Sequence, residues 1–129
     1  DFEANLLMSD DNRVVAGNKV LKMGPKFVVI KKCEHGGMFF AEHETYVMPA
    51  FPTEDVIDPT CAGDSFAGGM MCYLAEQGNF EPTTLKKALA YGTIVASYNV
   101  EDFSLDKMQQ IERDDLDHRL EQYQRMLSF

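Results

Sequence analysis

The spacing of apolar residues predicts a chain that begins with a helix and continues into a strand. Between residues 12 and 23 the apolar positions recur at helical spacing, and Gly24-Pro25 follows as a stop signal. Residues 27–30, Phe-Val-Val-Ile, form a short continuous apolar run that is rich in β-branched side chains. Such a run is typical of a strand buried on both faces, as in a parallel sheet. A helix followed by a buried strand indicates an α/β unit.

Shorter strands are predicted in the middle of the chain. Residues 38–41 and 45–49 are interpreted as two strands of a hairpin that turns through Glu-His-Glu. Residues 55–57 are interpreted as a brief further strand. Another short helical turn is predicted at residues 104–108. The order of elements predicts an incomplete α/β sandwich with several helices in its second half.

Three longer helical segments are expected after the middle strands. One is predicted from about residue 62 to residue 77, ending at a glycine. The next is predicted to be capped by Thr83 or Thr84, and the last by Asp114 or Asp115. No repeats, low-complexity tracts or linkers interrupt the sequence.

Composition and charge limit the classes of protein that fit. The 129 residues are enough for one domain with a core, since 45% of them are apolar. The net charge of −9 argues against a general nucleic-acid surface. No apolar run approaches the ~20 residues of a membrane span, and no signal peptide opens the chain, so we expect a cytoplasmic protein. The three cysteines include no CxxC pair, which argues against a disulfide framework or zinc site and favours reduced, mostly buried thiols.

The strongest candidate for chemistry is the segment 58–69, which leads from a turn into the predicted helix at residue 62. Ala62, Gly63 and Asp64 would be its first residues, where backbone N–H groups lack partners within the helix. These amides and the helix dipole favour an anion, and phosphate is the usual one. Asp64 is placed to accept a proton from a hydroxyl that attacks a phosphoryl group held there. The segment therefore indicates phosphoryl transfer. The simpler alternative is that Asp64 only stabilises the helix start.

Three stretches of the sequence resemble one family. Residues 58–66, DPTCAGDSF, resemble D-[TP]-x-G-A-G-D-[ST]-F, the C-terminal signature of the PfkB, or ribokinase-like, carbohydrate and nucleoside kinases. Residues 28–36, VVIKKCEHG, resemble the family's strand and turn V-x-V-T-x-G-x-x-G, which lies by the nucleotide. Glu3 falls where the glutamate of the family's N-x-x-E motif would stand, and the Asn would precede Asp1.

The resemblance implies an architecture and an activity. It covers essentially residues 1–129 and implies the C-terminal part of a ribokinase-like three-layer α/β/α sandwich, a mixed sheet with flanking helices. This part would carry ATP binding and catalysis, whereas the N-terminal part and the lid would be absent. The implied reaction is ATP-dependent phosphorylation of a hydroxyl of a sugar or nucleoside with Mg²⁺, and in some members K⁺. The implied partners are ATP and the small acceptor, with no nucleic acid and no membrane, and a homodimer of the full-length chain is an expectation of the same kind.

Residue roles carried over from the family are implied in the same way. Asp64 would be the catalytic base, and the amides of Ala62, Gly63 and Asp64 would form the anion hole. Glu3 would order Mg²⁺ through water. The remaining implied contacts are with ATP or with a monovalent cation. ATP would be bound by Lys31, Gly36, Cys61, Gly63 and Thr93, and the cation by Asp58 and Thr60.

Two departures from the family pattern qualify these expectations. Cys61 stands in place of the first glycine of G-A-G-D, and Cys33 in place of the glycine of the turn. Glycine is often needed where φ is positive or where the backbone approaches a ligand. Lys31, where Thr is common, is either a solvated charge or a phosphate contact.

Two alternative functions stay open beside the kinase. The first is a nucleotide-binding fragment or remnant that does not catalyse transfer by itself. The second is a structural α/β module that needs a partner chain. Further sequence before Asp1, or a partner that supplies the lid, would favour the kinase.

Overall fold

A computed structural model of the chain describes Glu3, Leu7 and residues 12–129. The chain divides into two units, Asp1–Ala50 and Phe51–Phe129. Among the described residues, no helix combines the length and the apolar character that crossing a bilayer would require.

The first unit combines one described helix with an antiparallel sheet. Helix α1, Arg13–Leu21, begins after Asn12, whose side chain accepts hydrogen bonds from the N–H groups of Val14 and Val15 at 3.0 and 3.3 Å. The strands are β1, Phe27–Lys31, β2, Gly37–Ala41, and β3, Glu44–Met48, and they lie in the order β1-β2-β3. The predicted helix and hairpin are confirmed.

The parallel, doubly buried strand expected at residues 27–30 is wrong. Strand β1 pairs antiparallel with β2, and Ile30 alone in that strand is fully buried. The reason is the connection: only five residues separate β1 from β2, and a parallel pairing needs a crossover of about a dozen residues or more. A parallel and an antiparallel strand can carry the same apolar run, so the hydrophobic pattern did not distinguish the two pairings.

Aromatic residues form the core of the first unit. Phe40, fully buried on β2, lies against α1 at Gly17, where an added Cβ would collide with the Phe40 ring. On the other face of the sheet, the Phe39 ring stacks between those of Phe27 and Tyr46, with centroid distances of 5.6 and 5.5 Å. Cross-strand aromatic pairs of this kind fix the register of antiparallel strands.

The second unit contains three helices: α2, Ala62–Gln77, α3, Pro82–Asn99, and α4, Arg113–Leu127. The predicted bounds of α2 are confirmed, and its last turn ends at Gly78 with φ +68°. Helices α2 and α3 approach closely because both carry glycine at the crossing. A Cβ at Gly69 would lie 2.7 Å from Val95 Cγ2, and one at Gly92 would lie 2.6 Å from the Phe66 carbonyl oxygen.

The predicted caps of the last two helices are wrong. Helix α3 starts one residue before Thr83, at Pro82, because proline is well suited to the first helical position. Helix α4 follows Glu112, and the N–H of Glu112 donates to the Asp115 carboxylate at 3.0 Å in a capping box. Asp115 thus takes part in the cap from inside the helix.

Two further expectations are wrong, whereas the short turn expected at residues 104–108 is confirmed, since all five residues lie in turns. Residues 55–57 form no strand. The N–H groups of Ile57 and Asp58 both donate to the Val100 carbonyl oxygen, at 2.7 and 3.2 Å, so a loop contact replaces the predicted strand. All three cysteines are exposed, whereas mostly buried thiols were expected.

Candidate functional site

The start of α2 is shaped by a left-handed residue. Cys61 has φ +64° and ψ 0°, which turns the chain from the loop into the helix. The Thr60 N–H donates to the Asp58 carboxylate at 2.9 Å, and the Ser65 N–H donates to the Cys61 carbonyl at 2.9 Å as the first helical bond. Cysteine therefore occupies the backbone conformation for which the family pattern has glycine.

Asp58 is held as a carboxylate by its neighbour. Hydrogen bonds from the side chain and then the backbone N–H of Thr60 lower the pKa of the Asp58 carboxyl. The two residues named as the monovalent-cation site thus contact each other directly. Their carboxylate and hydroxyl oxygens are the donor type that hard cations prefer.

Asp64 lies exposed in the first turn of α2 and is the acid in that turn. The N–H groups of the same turn point out of the helix start, where the dipole of a 16-residue helix favours negative charge. The Ala62 N–H donates to the Pro59 carbonyl at 3.3 Å, a long bond that an incoming anion would have to replace. The turn therefore presents an acid beside amides suited to an anion.

In the first unit, the turn between β1 and β2 carries Lys31 and Gly36. Gly36 has φ +81°, and a Cβ there would collide with the Met48 carbonyl oxygen and lie 2.6 Å from the carbonyl carbon of Pro49. The chain's own backbone therefore requires this glycine. Lys31 is exposed at the end of β1, and Cys33 has φ +51°. A contact between Gly36 and ATP stays a prediction.

The other two predicted site residues lie in different settings. Thr93 is buried in α3, its hydroxyl donates to the Leu89 carbonyl at 2.9 Å, and it also hydrogen-bonds the side chain of Tyr123. Its hydroxyl is thus used inside the second unit. Glu3 is helical and exposed. The contact of Thr93 with adenine and that of Glu3 with Mg²⁺ stay predictions.

Within the second unit, residues 57 and 58 lie against the end of α3, where both of their N–H groups donate to the Val100 carbonyl oxygen. Val100 is a residue that sequence reasoning missed, because a backbone carbonyl acceptor leaves no mark on the sequence. Among the described residues, no group of three or more His, Cys, Asp and Glu side chains is arranged to hold a metal ion. Magnesium in phosphoryl-transfer sites is usually bound by only one or two carboxylates together with phosphates and water, so single carboxylates are the relevant candidates.

Comparison with known sequences identifies the class of protein to which this loop and helix belong. The model of the pfkB family of carbohydrate kinases matches residues 2–111. A nucleoside kinase of Thermoplasma acidophilum is 32% identical over 104 residues, which are 78% of this chain and 32% of that protein. A bifunctional ribokinase/ribose-5-phosphate isomerase A of Fructilactobacillus sanfranciscensis is 28% identical over 95 residues, 73% of this chain and 17% of that protein.

Solved structures show the same fold. Aminoimidazole riboside kinase from Salmonella enterica, complexed with aminoimidazole riboside and an ATP analog, has a TM-score of 0.78 at 22% identity over 92% of this chain and 39% of that one. Fructokinase from Vibrio cholerae, bound to fructose, ADP and calcium, has a TM-score of 0.80 at 15% identity and similar coverage.

These matches fix the family and the fold. The chain belongs to the pfkB family of carbohydrate kinases, and its architecture is a partial ribokinase-like α/β fold. It spans about a third of the length of the nucleoside kinase that it matches.

Proposed function

We propose that the protein transfers the γ-phosphoryl group of ATP to a hydroxyl of a sugar or nucleoside. The observation that carries the proposal is the exposed Asp64 in the first turn of α2, directly after the left-handed Cys61. Family membership supports the reaction type, since relatives are kinases of sugars and nucleosides. The complex of the Salmonella kinase with aminoimidazole riboside and an ATP analog supports ATP as the phosphoryl donor.

The proposed chemistry assigns the proton to Asp64. The acceptor oxygen forms a bond to the γ-phosphorus, the bond from that phosphorus to the bridging oxygen of ADP breaks, and the hydroxyl proton passes to the Asp64 carboxylate. The amides of Ala62, Gly63 and Asp64 stabilise the charge on the transferring phosphoryl oxygens. Magnesium, when bound with the nucleotide, neutralises its phosphates.

Nucleotide and cation contacts complete the proposal. In the first unit, the family resemblance assigns Lys31 to the phosphates and Gly36 to ATP. In the second unit, it assigns Cys61, Gly63 and Thr93 to ATP. Glu3 orders Mg²⁺ through water. The donor chemistry of Asp58 and Thr60 suits K⁺, and the lowered pKa of Asp58 keeps that carboxyl charged.

A second candidate function is nucleotide binding without transfer. It is favoured by two departures from the family pattern, since Cys33 and Cys61 stand at positive φ where the pattern has glycine. The protein would then bind ATP and phosphorylate nothing.

The two candidates are separated by one set of measurements on the full-length protein. ATP consumption is followed with a panel of sugars and nucleosides, and ATP affinity is measured by calorimetry. Asp64→Asn should lower kcat by about 10²–10⁴-fold, the usual contribution of a general base, while ATP affinity stays within a few-fold. Asp114→Asn, which alters an exposed acid in the first turn of α4, is the matched control and should retain wild-type turnover.

Each outcome decides between the candidates. Turnover near wild type in Asp64→Asn would refute the assignment of the base. ATP binding without consumption of any acceptor would favour the second candidate. The absence of both binding and turnover would reject both.

A further inference from the structure

A partly buried ion pair joins the last helix to the end of α3. Arg119 on α4 donates through both terminal nitrogens to the Glu101 carboxylate, Nη1 to Oε1 at 2.7 Å and Nη2 to Oε2 at 3.2 Å. The side chains are 16% and 13% exposed. A bidentate pair of this kind combines charge with fixed geometry. Glu101 Oε2 also lies 3.9 Å from Lys107 Nζ, so removal of Arg119 leaves the carboxylate with the longer and more exposed of its two ion pairs.

The surroundings of Arg119 hold its guanidinium in one orientation. Its carbon lies 3.4 Å from the centroid of the Tyr98 ring and 5.1 Å from that of Phe51. Nη1 also donates to the Ser97 hydroxyl at 3.0 Å. Arginine is suited to such a site because its planar fork binds a carboxylate while its faces stack on rings.

Glu101 connects this pair to the loop that carries the family signature. Its Oε1 accepts the Thr53 hydroxyl at 3.1 Å. The preceding residue, Val100, accepts the N–H groups of Ile57 and Asp58. Residues 53–58 are thus bound at one end by Glu101 and at the other by Val100, and Glu101 is itself bound by Arg119.

We propose that Arg119 and Glu101 are positioning residues that fix the loop 53–58 and thereby the placement of Asp58 and Asp64. The functional part of this inference rests on the proposed kinase function. Arg119 lies beyond residue 111, where the match to the family model ends. The residues that bind the signature loop therefore lie on both sides of the end of that match.

The first test measures loop order without any assay of activity. Hydrogen exchange is followed by NMR in the full-length protein and in its Arg119→Ala and Glu101→Gln variants. Protection of the Ile57 and Asp58 amides should fall about tenfold, because the loop opens at a lower cost in free energy once the Arg119–Glu101 pair is lost. Amides inside α2 and α3 should keep their protection.

The matched control is Arg113→Ala. Arg113 lies on the same helix, donates to Glu76 at 3.0 Å and lies over the Tyr91 ring at 5.2 Å. Its replacement by alanine therefore also removes an ion pair and a ring contact. The ion-pair and ring partners of Arg113 are Glu76, Asp117 and Tyr91, which lie outside residues 53–58, so the two loop amides should exchange as in the wild type. Equal loss of protection in the control and in Arg119→Ala would overturn the inference.

The second test separates positioning from general stability. Arg119→Ala should lower kcat about tenfold with KM for ATP nearly unchanged, since misplacement of a reacting group affects the chemical step most. Arg119→Lys should restore part of kcat, because one charged contact to Glu101 remains. Unchanged kcat in Arg119→Ala with lost loop protection would overturn the functional part.

Failure of the inference is distinguishable from failure of the proposed function. If the wild type consumes no ATP with any acceptor, the kinase proposal fails, and the exchange measurement still decides the loop contact. If Arg119→Ala does not fold, Thr53→Val removes the loop's own hydroxyl donor and leaves the ion pair intact. Wild-type exchange at both amides in Thr53→Val and Glu101→Gln would then overturn the proposal.

Discussion

The turn after β1 and the loop before α2 share an unusual backbone conformation, but different contacts hold them in place. Both contain a cysteine with positive φ, +51° at Cys33 and +64° at Cys61, where the family pattern has glycine. In the turn, a second left-handed residue, Gly36, lies against the backbone of residues 48–50. In the loop, the chain is held by hydrogen bonds to Val100, and the following helix start is left exposed.

The comparison shows that packing accounts for the residue at the key position of the turn but not for the residue at the start of α2. The turn's glycine is required by close packing of the chain on itself, so its identity by itself says nothing about a ligand. The exposed acid at the start of α2 makes no comparable contribution to packing. This exposed acid beside helix-start amides is the residue on which the proposed role in binding or catalysis rests.

The largest expected effect is the loss of stability on replacement of Gly36. Gly36→Ala should destabilise the protein by about 3 kcal/mol or more, because the Cβ meets backbone atoms and φ is +81°. Chemical denaturation followed by circular dichroism measures the loss. Gly37→Ala is the control: its Cβ would lie 3.4 Å from the Ile30 carbonyl oxygen, which is ordinary contact, and its effect should be much smaller. Similar losses in both variants would contradict the packing explanation.

Smaller changes of opposite sign are expected at the cysteines. Cys33→Gly and Cys61→Gly should each raise the free energy of unfolding by about 0.5 to 1 kcal/mol, since glycine adopts the left-handed conformation without strain. Cys61→Gly should leave turnover equal or higher. Cys72→Gly, in the interior of α2, should instead lower the free energy of unfolding by roughly 0.3 kcal/mol, since cysteine is itself a weak helix former. A large loss of activity in Cys61→Gly would assign the thiol a role that backbone geometry does not provide.

The smallest effect at neutral pH is expected at Tyr123, which hydrogen-bonds Thr93. Burial raises the pKa of Tyr123 to about 12. Folding therefore favours the protonated phenol. Its contribution to the free energy of unfolding is fully present below about pH 10 and is lost as the pH rises from about 10 to 12. Tyr123→Phe should show a shallower loss of stability across that window in thermal melts. An unchanged slope would mean that burial does not raise the pKa of the Tyr123 hydroxyl.

Local sequence signals predicted the parts of the fold that local chemistry controls. The bounds of α2 followed from small residues at its start and Gly78 at its end, because glycine is the residue that ends helices in the left-handed conformation. The β2–β3 hairpin followed from two apolar runs around a short polar turn. The signature around Asp64 gave the family, which the match to residues 2–111 confirms.

Other features depended on contacts between residues far apart in sequence. The antiparallel pairing of β1 was not visible in residues 27–30, since an apolar run fits either direction. Glu81 and Glu112 occupy the N-cap positions at which threonines and aspartates were expected. Helix α3 starts earlier because Pro82 takes its first position, and α4 starts at a capping box. The close crossing at Gly69 and Gly92 was decided by two helices together.

The sequence by itself determined the helix that carries Asp64, the residue types beside it and the family to which they belong. Those properties are local, since they depend on which residues follow one another. Only the tertiary structure showed the contacts of the loop before that helix, namely the hydrogen bonds of Ile57 and Asp58 to the Val100 carbonyl and that of Thr53 to Glu101, which pairs with Arg119. A backbone acceptor has no sequence signature, and an ion pair between residues 18 positions apart is specified only when two helices pack.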